Sequence, residues 1–323
     1  MLFRKIKPKE IFFDIISRYL YYIRVFSISF FILILLLIPT KLPNWWLFND
    51  PIYELDGFSK NLPCGTRFDQ QFVDLNEIFV ERTNGGQYHN NNCQFSQKVA
   101  IVVPYRNRSE HLKIFLHHIH HFLLTQNTAH YRIFIIEQLD DGPFNRGVLF
   151  NIGFQQIMKL FPSTECFIFH DVDVLPIDFR QQYVCSDVPR HLCPYLDRNR
   201  YVLIYKQFFG VVVALNRQQF QVINGFSNSY FGWGGEDDDL YLRVISNFHH
   251  FERYDSNIAR CKMIPHTHNS IEADDRIELL HKTLERMPTD GINNIDEFYN
   301  KTEINFYQFY TKIGVKLIQN KDI

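Results

Sequence analysis

Three short apolar runs, each leading into charged or polar residues, set the framework of this chain. Val99-Ala-Ile-Val-Val103 contains no polar residue, the pattern of a strand covered on both faces, and Pro104 with Tyr105 is expected to end it. Arg132 to Glu137 reads as the next strand, and Phe144-Asn-Arg146 follows it, with Gly147 allowing a close turn into a helix. The third run, Cys166-Phe-Ile-Phe-His170, is aromatic and β-prone and leads into Asp171-Val-Asp173 before Pro176. After Glu110, the spacing of Phe115, Ile119 and Phe122 predicts a helix packed on the sheet, with His117, His118, His120 and His121 around its edge. Glu252, Arg253 and Tyr254 read as surface residues. This order of strands and helices predicts an α/β fold with a twisted, mostly parallel central sheet.

The N-terminal pattern is different. Residues 25–38 carry no charge, but fourteen residues span only about 21 Å of helix, short of a ~30 Å hydrocarbon core. Extending the segment back to Tyr19 gives about twenty residues, with Arg24 near the inner interface. Arg4, Lys5, Lys7, Lys9 and Arg18 precede it, so the positive-inside rule predicts a cytosolic tail (1–18), a signal-anchor helix (19–39), a short stem (40–62) and a luminal domain (63–323). A cleaved signal peptide competes with this reading, but the n-region is long and no small-x-small site precedes Pro39. Either version sends the chain into the secretory pathway. About 260 residues remain after the anchor, enough for one large core.

A formal net charge of −1 gives no reason to expect nucleic acid as a partner, and aromatics at 16% suit a carbohydrate-handling surface. The stretch Tyr230-Phe-Gly-Trp-Gly-Gly-Glu-Asp-Asp-Asp239 concentrates that chemistry. Sugars stack apolar C–H faces on aromatic rings and donate hydroxyls to carboxylates, while glycines let the backbone approach. An acidic run alone is usually a solvated loop; Trp233, Gly234 and Gly235 shift the balance. Asp171 and Asp173, at the C-terminal end of a strand, stand where α/β sheets bind ligands. Met263 and His266, with His268 beyond them, are usually structural in a loop. Joined with Asp173, Met263 and His266 make a carboxylate, thioether and imidazole set that leaves positions open for phosphate oxygens and suits Mn²⁺.

The chain resembles the β-1,4-galactosyltransferase family, from about Cys64 to the region of Gly314. Five motifs in the family's order carry the resemblance: Val99 to His111, Phe144-Asn-Arg146 with Asn151-Ile-Gly-Phe154, Asp171-Val-Asp173, Trp233-Gly-Gly-Glu-Asp-Asp238, and Met263-Ile-Pro-His266. The resemblance implies a GT-A glycosyltransferase fold and an inverting, Mn²⁺-dependent transfer from a UDP-sugar donor to a glycan acceptor on a glycoprotein or glycolipid. It implies a Golgi membrane protein with its catalytic domain in the lumen and leaves a homodimer open. Asp237 is then the candidate general base, with Glu236 and Asp238 positioning the acceptor and the turn. The nucleotide-sugar side takes in Pro104, Tyr105, Arg106, Arg108, Phe144 beside the uracil, Asn145, Arg146 facing the phosphates, Val172, Asp173, Phe208 and Trp233. The acceptor side takes in Trp233, Gly234, Gly235, Glu236, Asp237 and Ile277, and the metal site Asp173, Met263 and His266.

Departures from the family pattern bear on substrate choice. Phe208 stands where galactose-using members carry a tyrosine and some N-acetylgalactosamine-using members a smaller aliphatic residue; it keeps the bulk but loses the hydroxyl, which favours UDP-galactose over UDP-GalNAc. Ala273 and Asp274 replace an arginine and an aromatic that help form an N-acetyl pocket, so GlcNAc is a plausible acceptor but not a secured one. His268 suggests the xylose-specific branch, against which Gly235 argues. A silent glycan lectin and a UDP-sugar hydrolase are the competing classes.

Six cysteines suit an oxidising compartment. Cys166 and Cys185 flank the Asp171–Asp173 segment and would, if bonded, hold it against its strand. Cys64 and Cys93 are the other pair that the family implies. Cys193 and Cys261 could pair or stay reduced. Of the sequons at Asn107 and Asn300, the first lies inside the nucleotide motif, so glycosylation is expected at Asn300 only.

Overall fold

The structure is a computed structural model; it describes residues 85–89, 97–266 and 275–318, and the backbone of 52–55. The expected tail, anchor helix and Cys64–Cys93 pair lie outside these residues, as do His268, Ala273 and Asp274. Among the described residues no helix is long and apolar enough to cross a membrane.

The alternation of side chains builds a three-layer core. Strand β3 (Gln97–Tyr105) sends Val99, Ile101 and Val103 to one face and Ala100 and Val102 to the other. Its neighbours β4 (Ala129–Gln138) and β5 (Cys166–His170) do the same with Ile133 and Ile135 against Phe134 and Ile136, and with Ile168 against Phe167 and Phe169. Helix α1 (Ser109–Gln126) covers the first face with Phe115, Ile119 and Phe122. Helix α2 (Arg146–Leu160) covers the second with Phe150 and Phe154, and Gly153 lets it close on β3, since a Cβ there would lie 2.6 Å from Val102. Each fully buried aromatic or aliphatic side chain contributes on the order of 2 kcal/mol, so a sheet covered on both faces holds its strands firmly.

The sheet is mixed rather than mostly parallel. β3, β4 and β5 are parallel, but β9 (Val212–Asn216) runs antiparallel beside β5, and β12 (Tyr299–Phe306) runs antiparallel to β13 (Thr311–Leu317), which is itself parallel to β4. Beyond β9 lie β7 (Arg190–His191) and β10 (Phe251–Tyr254), and β1 (Ile52–Leu55), inside the expected stem, pairs in parallel with β10. The short β2 (Gln87–Tyr88) pairs antiparallel with β4, and helix α3 (Arg217–Val222) follows β9. A second sheet joins β6 (Val174–Pro176), β11 (Arg260–Met263) and β8 (Tyr195–Leu196). The chain from β5 to β9, residues 171–211, is long enough for either direction; it carries β6, β7 and β8 before re-entering the sheet beside β5.

Four expectations are corrected. Pro104 and Tyr105 do not end β3 but pair within it, opposite Ile136 and Glu137; β5 is paired only as far as Val102, so the strand has one neighbour at the proline and its missing N–H is tolerated. His120 is not at the helix edge: it is fully buried, with Nδ1 3.0 Å from Tyr131 Oη and Nε2 2.7 Å from the carbonyl of Phe309. Burial pushes its pKa down to about 4, so it is a neutral strut. Arg253 and Tyr254 are buried, not surface residues. Gly147 serves the approach of two segments rather than a turn, since a Cβ there would meet the Ser227 carbonyl at 2.4 Å.

Two disulfides close the described part, Cys166–Cys185 and Cys193–Cys261. The second resolves the pair that the sequence left open. Asn300 is exposed on β12.

Candidate active site

The parallel strands β3, β4 and β5 end side by side, and the segments leaving them carry the chemistry. From β3, the guanidinium of Arg106 lies over the Phe144 ring, 5.3 Å from its centroid, and donates to the carbonyl of Gly142 at 2.6 Å. The structure thus joins two expected donor-site residues in one aromatic and cationic corner. Asn145 is fully buried: its side chain accepts from Val148 N and caps α2, while Nδ2 donates to Asn228 O at 2.7 Å.

Arg146 is the hub. Its Nε donates to Asp171 Oδ1 at 2.7 Å, and one terminal nitrogen reaches Asp237 Oδ1 at 2.7 Å and Glu236 Oε1 at 3.4 Å. The resemblance placed Arg146 towards phosphates; here it faces carboxylates, because a buried guanidinium requires counter-charges close by. Burial, with neighbouring carboxylates adding and Arg146 opposing, pushes Asp171 and Glu236 above the ordinary carboxylate range.

Glu236 to Asp239 form the first turn of helix α4 (Glu236–Phe248), whose N-terminal dipole favours negative charge. The glycines before it are required. Gly232, Gly234 and Gly235 all have positive φ, and a Cβ on Gly235 would lie 2.6 Å from Tyr230. Gly232 N donates to Phe144 O at 2.7 Å, which ties the turn to the donor corner, and Trp233 stands 51% exposed at the tip. Ile277, at 67%, is exposed on α5 (Arg276–His281), whose first residue packs near Gly234 and Gly235.

The antiparallel β9 brings in a contact that the sequence did not signal. Gly210, just before it, lies so close to Asp237 that an added Cβ would fall 2.0 Å from the carboxyl carbon. Tyr205, at the start of the same loop, donates its hydroxyl to Asp238 Oδ1 at 2.7 Å. Phe208 is buried, its ring edge-on to His191 at 5.0 Å.

The two aspartates of Asp171-Val-Asp173 diverge. Asp171 joins Arg146, whereas Asp173 Oδ2 lies 2.7 Å from His266 Nε2 and 3.5 Å from Arg108. Strand β11 makes this meeting: Met263 pairs with Val174, and Ile264 N donates to Asp173 O at 2.7 Å. Asp173 and His266 are therefore in direct contact, with Met263 on the adjoining strand and its side chain partly packed against the core. A carboxylate oxygen and an imidazole nitrogen converging this closely fit a shared divalent cation of the Mn²⁺ type. Val172, between the aspartates, is buried.

Residues 63–186 match the family described as "N-terminal region of glycosyl transferase group 7", and residues 190–267 match "N-terminal domain of galactosyltransferase". Rattus norvegicus β-1,4-galactosyltransferase 6 is 37% identical over 277 residues, covering 81% of this chain and 71% of that protein. The chain belongs to the β-1,4-galactosyltransferase family. Mus musculus β-1,4-galactosyltransferase 1 is 40% identical over 239 residues, 73% of this chain; the match spans 59% of that relative's length. The catalytic domain of Drosophila β-1,4-galactosyltransferase 7, solved with xylobiose, superimposes with a TM-score of 0.57 at 28% identity, covering 70% of this chain and 95% of that one. A variant of that enzyme was solved with manganese, UDP-Gal and xylobiose and matches at 27% identity with a TM-score of 0.57.

Within this family member, the sequence alone missed the approach of Gly210 to Asp237, which a lone glycine after two phenylalanines could have suggested.

Proposed function

We propose that this chain transfers galactose from UDP-galactose, with inversion, in β-1,4 linkage to a terminal sugar, GlcNAc being the first acceptor to test. UDP-GalNAc is the alternative donor, favoured to the extent that Phe208 lacks a tyrosine's hydroxyl. The observation that carries this reading is the convergence of Asp237, Glu236 and Asp171 on Arg146, beside the Asp173–His266 pair and at the C-terminal ends of the strands. The Drosophila relative with manganese, UDP-Gal and xylobiose supports the same ligand classes here.

Inversion needs one displacement: the acceptor hydroxyl attacks the anomeric carbon opposite UDP and gives up its proton. Asp237 takes that proton, oriented by Arg146 and by the floor at Gly210. Asp238, held by Tyr205, and Glu236 position the acceptor, while the half-exposed Trp233 offers its ring to a sugar face. Arg106 and Phe144 seat the nucleobase end of the donor. Asp173, His266 and Met263 would hold Mn²⁺, which when bound supplies Lewis-acid stabilisation of the departing diphosphate. Membrane anchoring and a Golgi location belong to this proposal; the two disulfides of the described domain support an oxidising lumen.

The test is UDP release by the portion from residue 40 onwards, with and without Mn²⁺, pairing UDP-Gal or UDP-GalNAc with GlcNAc, glucoside and xyloside acceptors. Release that needs both metal and acceptor supports the transferase. Release without acceptor indicates a hydrolase, and no release with any pair counts against the reading. His266→Ala should raise the Mn²⁺ concentration for half-maximal activity by at least about tenfold.

A further inference from the structure

The loop from Tyr205 to Val211 touches two of the site's carboxylates and the backbone of a third acidic residue. Tyr205 donates to Asp238, Gly210 lies against Asp237, and the Val211 carbonyl accepts from Asp171 N at 3.1 Å. This loop is not in a relaxed conformation: Val211, a β-branched residue, has φ of 64°, in the left-handed region, and such a residue persists there only where surrounding contacts hold it. The restraint is visible behind the loop. Arg253 is 2% exposed, and one of its terminal nitrogens donates to the carbonyls of Lys206, at 3.1 Å, and Phe208. Its guanidinium lies over the Phe251 ring, 4.8 Å from the centroid.

His191 sits opposite Arg253 in the β7–β10 register, and Arg253 Nε lies 3.2 Å from its Nδ1. Arginine only donates, so Nδ1 accepts and the ring proton is on Nε2. Burial and the adjacent guanidinium hold the His191 pKa well below its ordinary value, with the Gly210 and Phe208 carbonyls opposing, so the ring is a neutral acceptor throughout the working range. The same ring meets Phe208 and Phe209 edge-on.

We propose that Arg253, braced by His191, is a positioning residue: it holds the Tyr205–Val211 loop and through it the settings of Asp237 and Asp238, without touching substrate. The planar fork is the reason for arginine, since one rigid group must serve two backbone carbonyls and a ring nitrogen at once, which an ammonium on a flexible stem does not do. The catalytic half of the proposal rests on the transferase reading; the structural half does not.

Arg253→Met keeps the length and removes the donors. Hydrogen exchange should then quicken about tenfold or more at the Phe208 and Val212 amides, with β3 and β4 still protected. Acceptor-dependent transfer should fall about 100-fold in kcat, while the affinity for UDP changes by less than about threefold. Should this variant not fold, His191→Leu and His191→Asn replace it: the first removes the acceptor for Arg253 Nε and should reproduce the exchange and kcat effects, whereas the second, with its amide oxygen near the place of Nδ1, should restore at least half of the transfer. Unchanged exchange in the folded Arg253→Met protein, or equal losses in the two His191 variants, would overturn the proposal. An inactive wild-type protein would count against the transferase reading, and exchange would still decide the loop's anchor.

Discussion

Two buried ion clusters share the first turn of α4. In one, Asp237 and Glu236 meet Arg146 and Asp171 at the mouth of the cleft, with the Asp237 side chain 22% exposed. In the other, Asp239 and Arg243 are both completely inaccessible: Asp239 Oδ1 accepts from Arg243 at 2.5 Å, and its Oδ2 accepts from Thr283 at 2.8 Å and Arg286 at 2.9 Å. Arg243 and Arg286 continue to Asp290, which binds Ser227 and the Asn228 amide just before the glycine turn. Residues two apart on a helix point about 200° from each other, so the helical repeat alone sends the proposed base and the scaffold carboxylate of one acidic run to different surroundings. Both oxygens of Asp239 accept from protein donors, whereas Asp237 keeps an open side, the difference expected between a structural carboxylate and the proposed base.

Three substitutions test the division. Asp237→Asn should lower kcat by about 10³-fold, close to 4 kcal/mol of barrier, with little change in the denaturation midpoint; a protein that keeps transfer within tenfold of wild type removes Asp237 from the base role. For Asp239→Asn the expectation is reversed: Arg243 and Arg286 lose their shared counter-charge and unfolding free energy drops by about 3 kcal/mol, while the fraction that remains folded still turns over. Urea titration alongside activity per folded molecule separates the two, and equal behaviour of both variants would dissolve the comparison. The smallest effect concerns pH. Glu236 has its pKa raised in the folded protein from the ordinary 4.5, so the folded state binds the extra proton and this residue's contribution to stability is lost as pH rises from 4.5 through the raised value. Glu236→Gln should therefore be more stable than wild type at pH 8 by about 1 kcal/mol and gain nothing at pH 4, as read from melting curves at the two values.

The same contrast explains what the sequence could reveal. Val99 to Val103 and Cys166 to His170 announced themselves because both of their faces are buried, and Asp173, His266 and Asp237 stood in motifs whose order carried the resemblance. Asp239 looked no different from Asp237, and only the packing of Thr283 and Arg286 distinguishes it. The role of Arg253 depends on His191, some sixty positions earlier and directly across the sheet, a pairing that no local pattern reports. The antiparallel β9 was equally silent, since an apolar strand reads alike in both directions. Asn145 was legible as part of a motif, but its capping bond to Val148 appears only with the helix in place.

Cys193 and Cys261 are joined across a sequence separation of 68, and Tyr205, Gly210 and the whole acidic turn lie between the two sulfurs. One end of that bridge is two residues from Met263. For anyone preparing this protein, the choice of host and buffer thereby becomes part of the experiment. Material made in a reducing bacterial cytosol, or assayed with dithiothreitol, has its cleft on a longer tether than the disulfide-bonded molecule, and activities from the two preparations are not expected to be interchangeable.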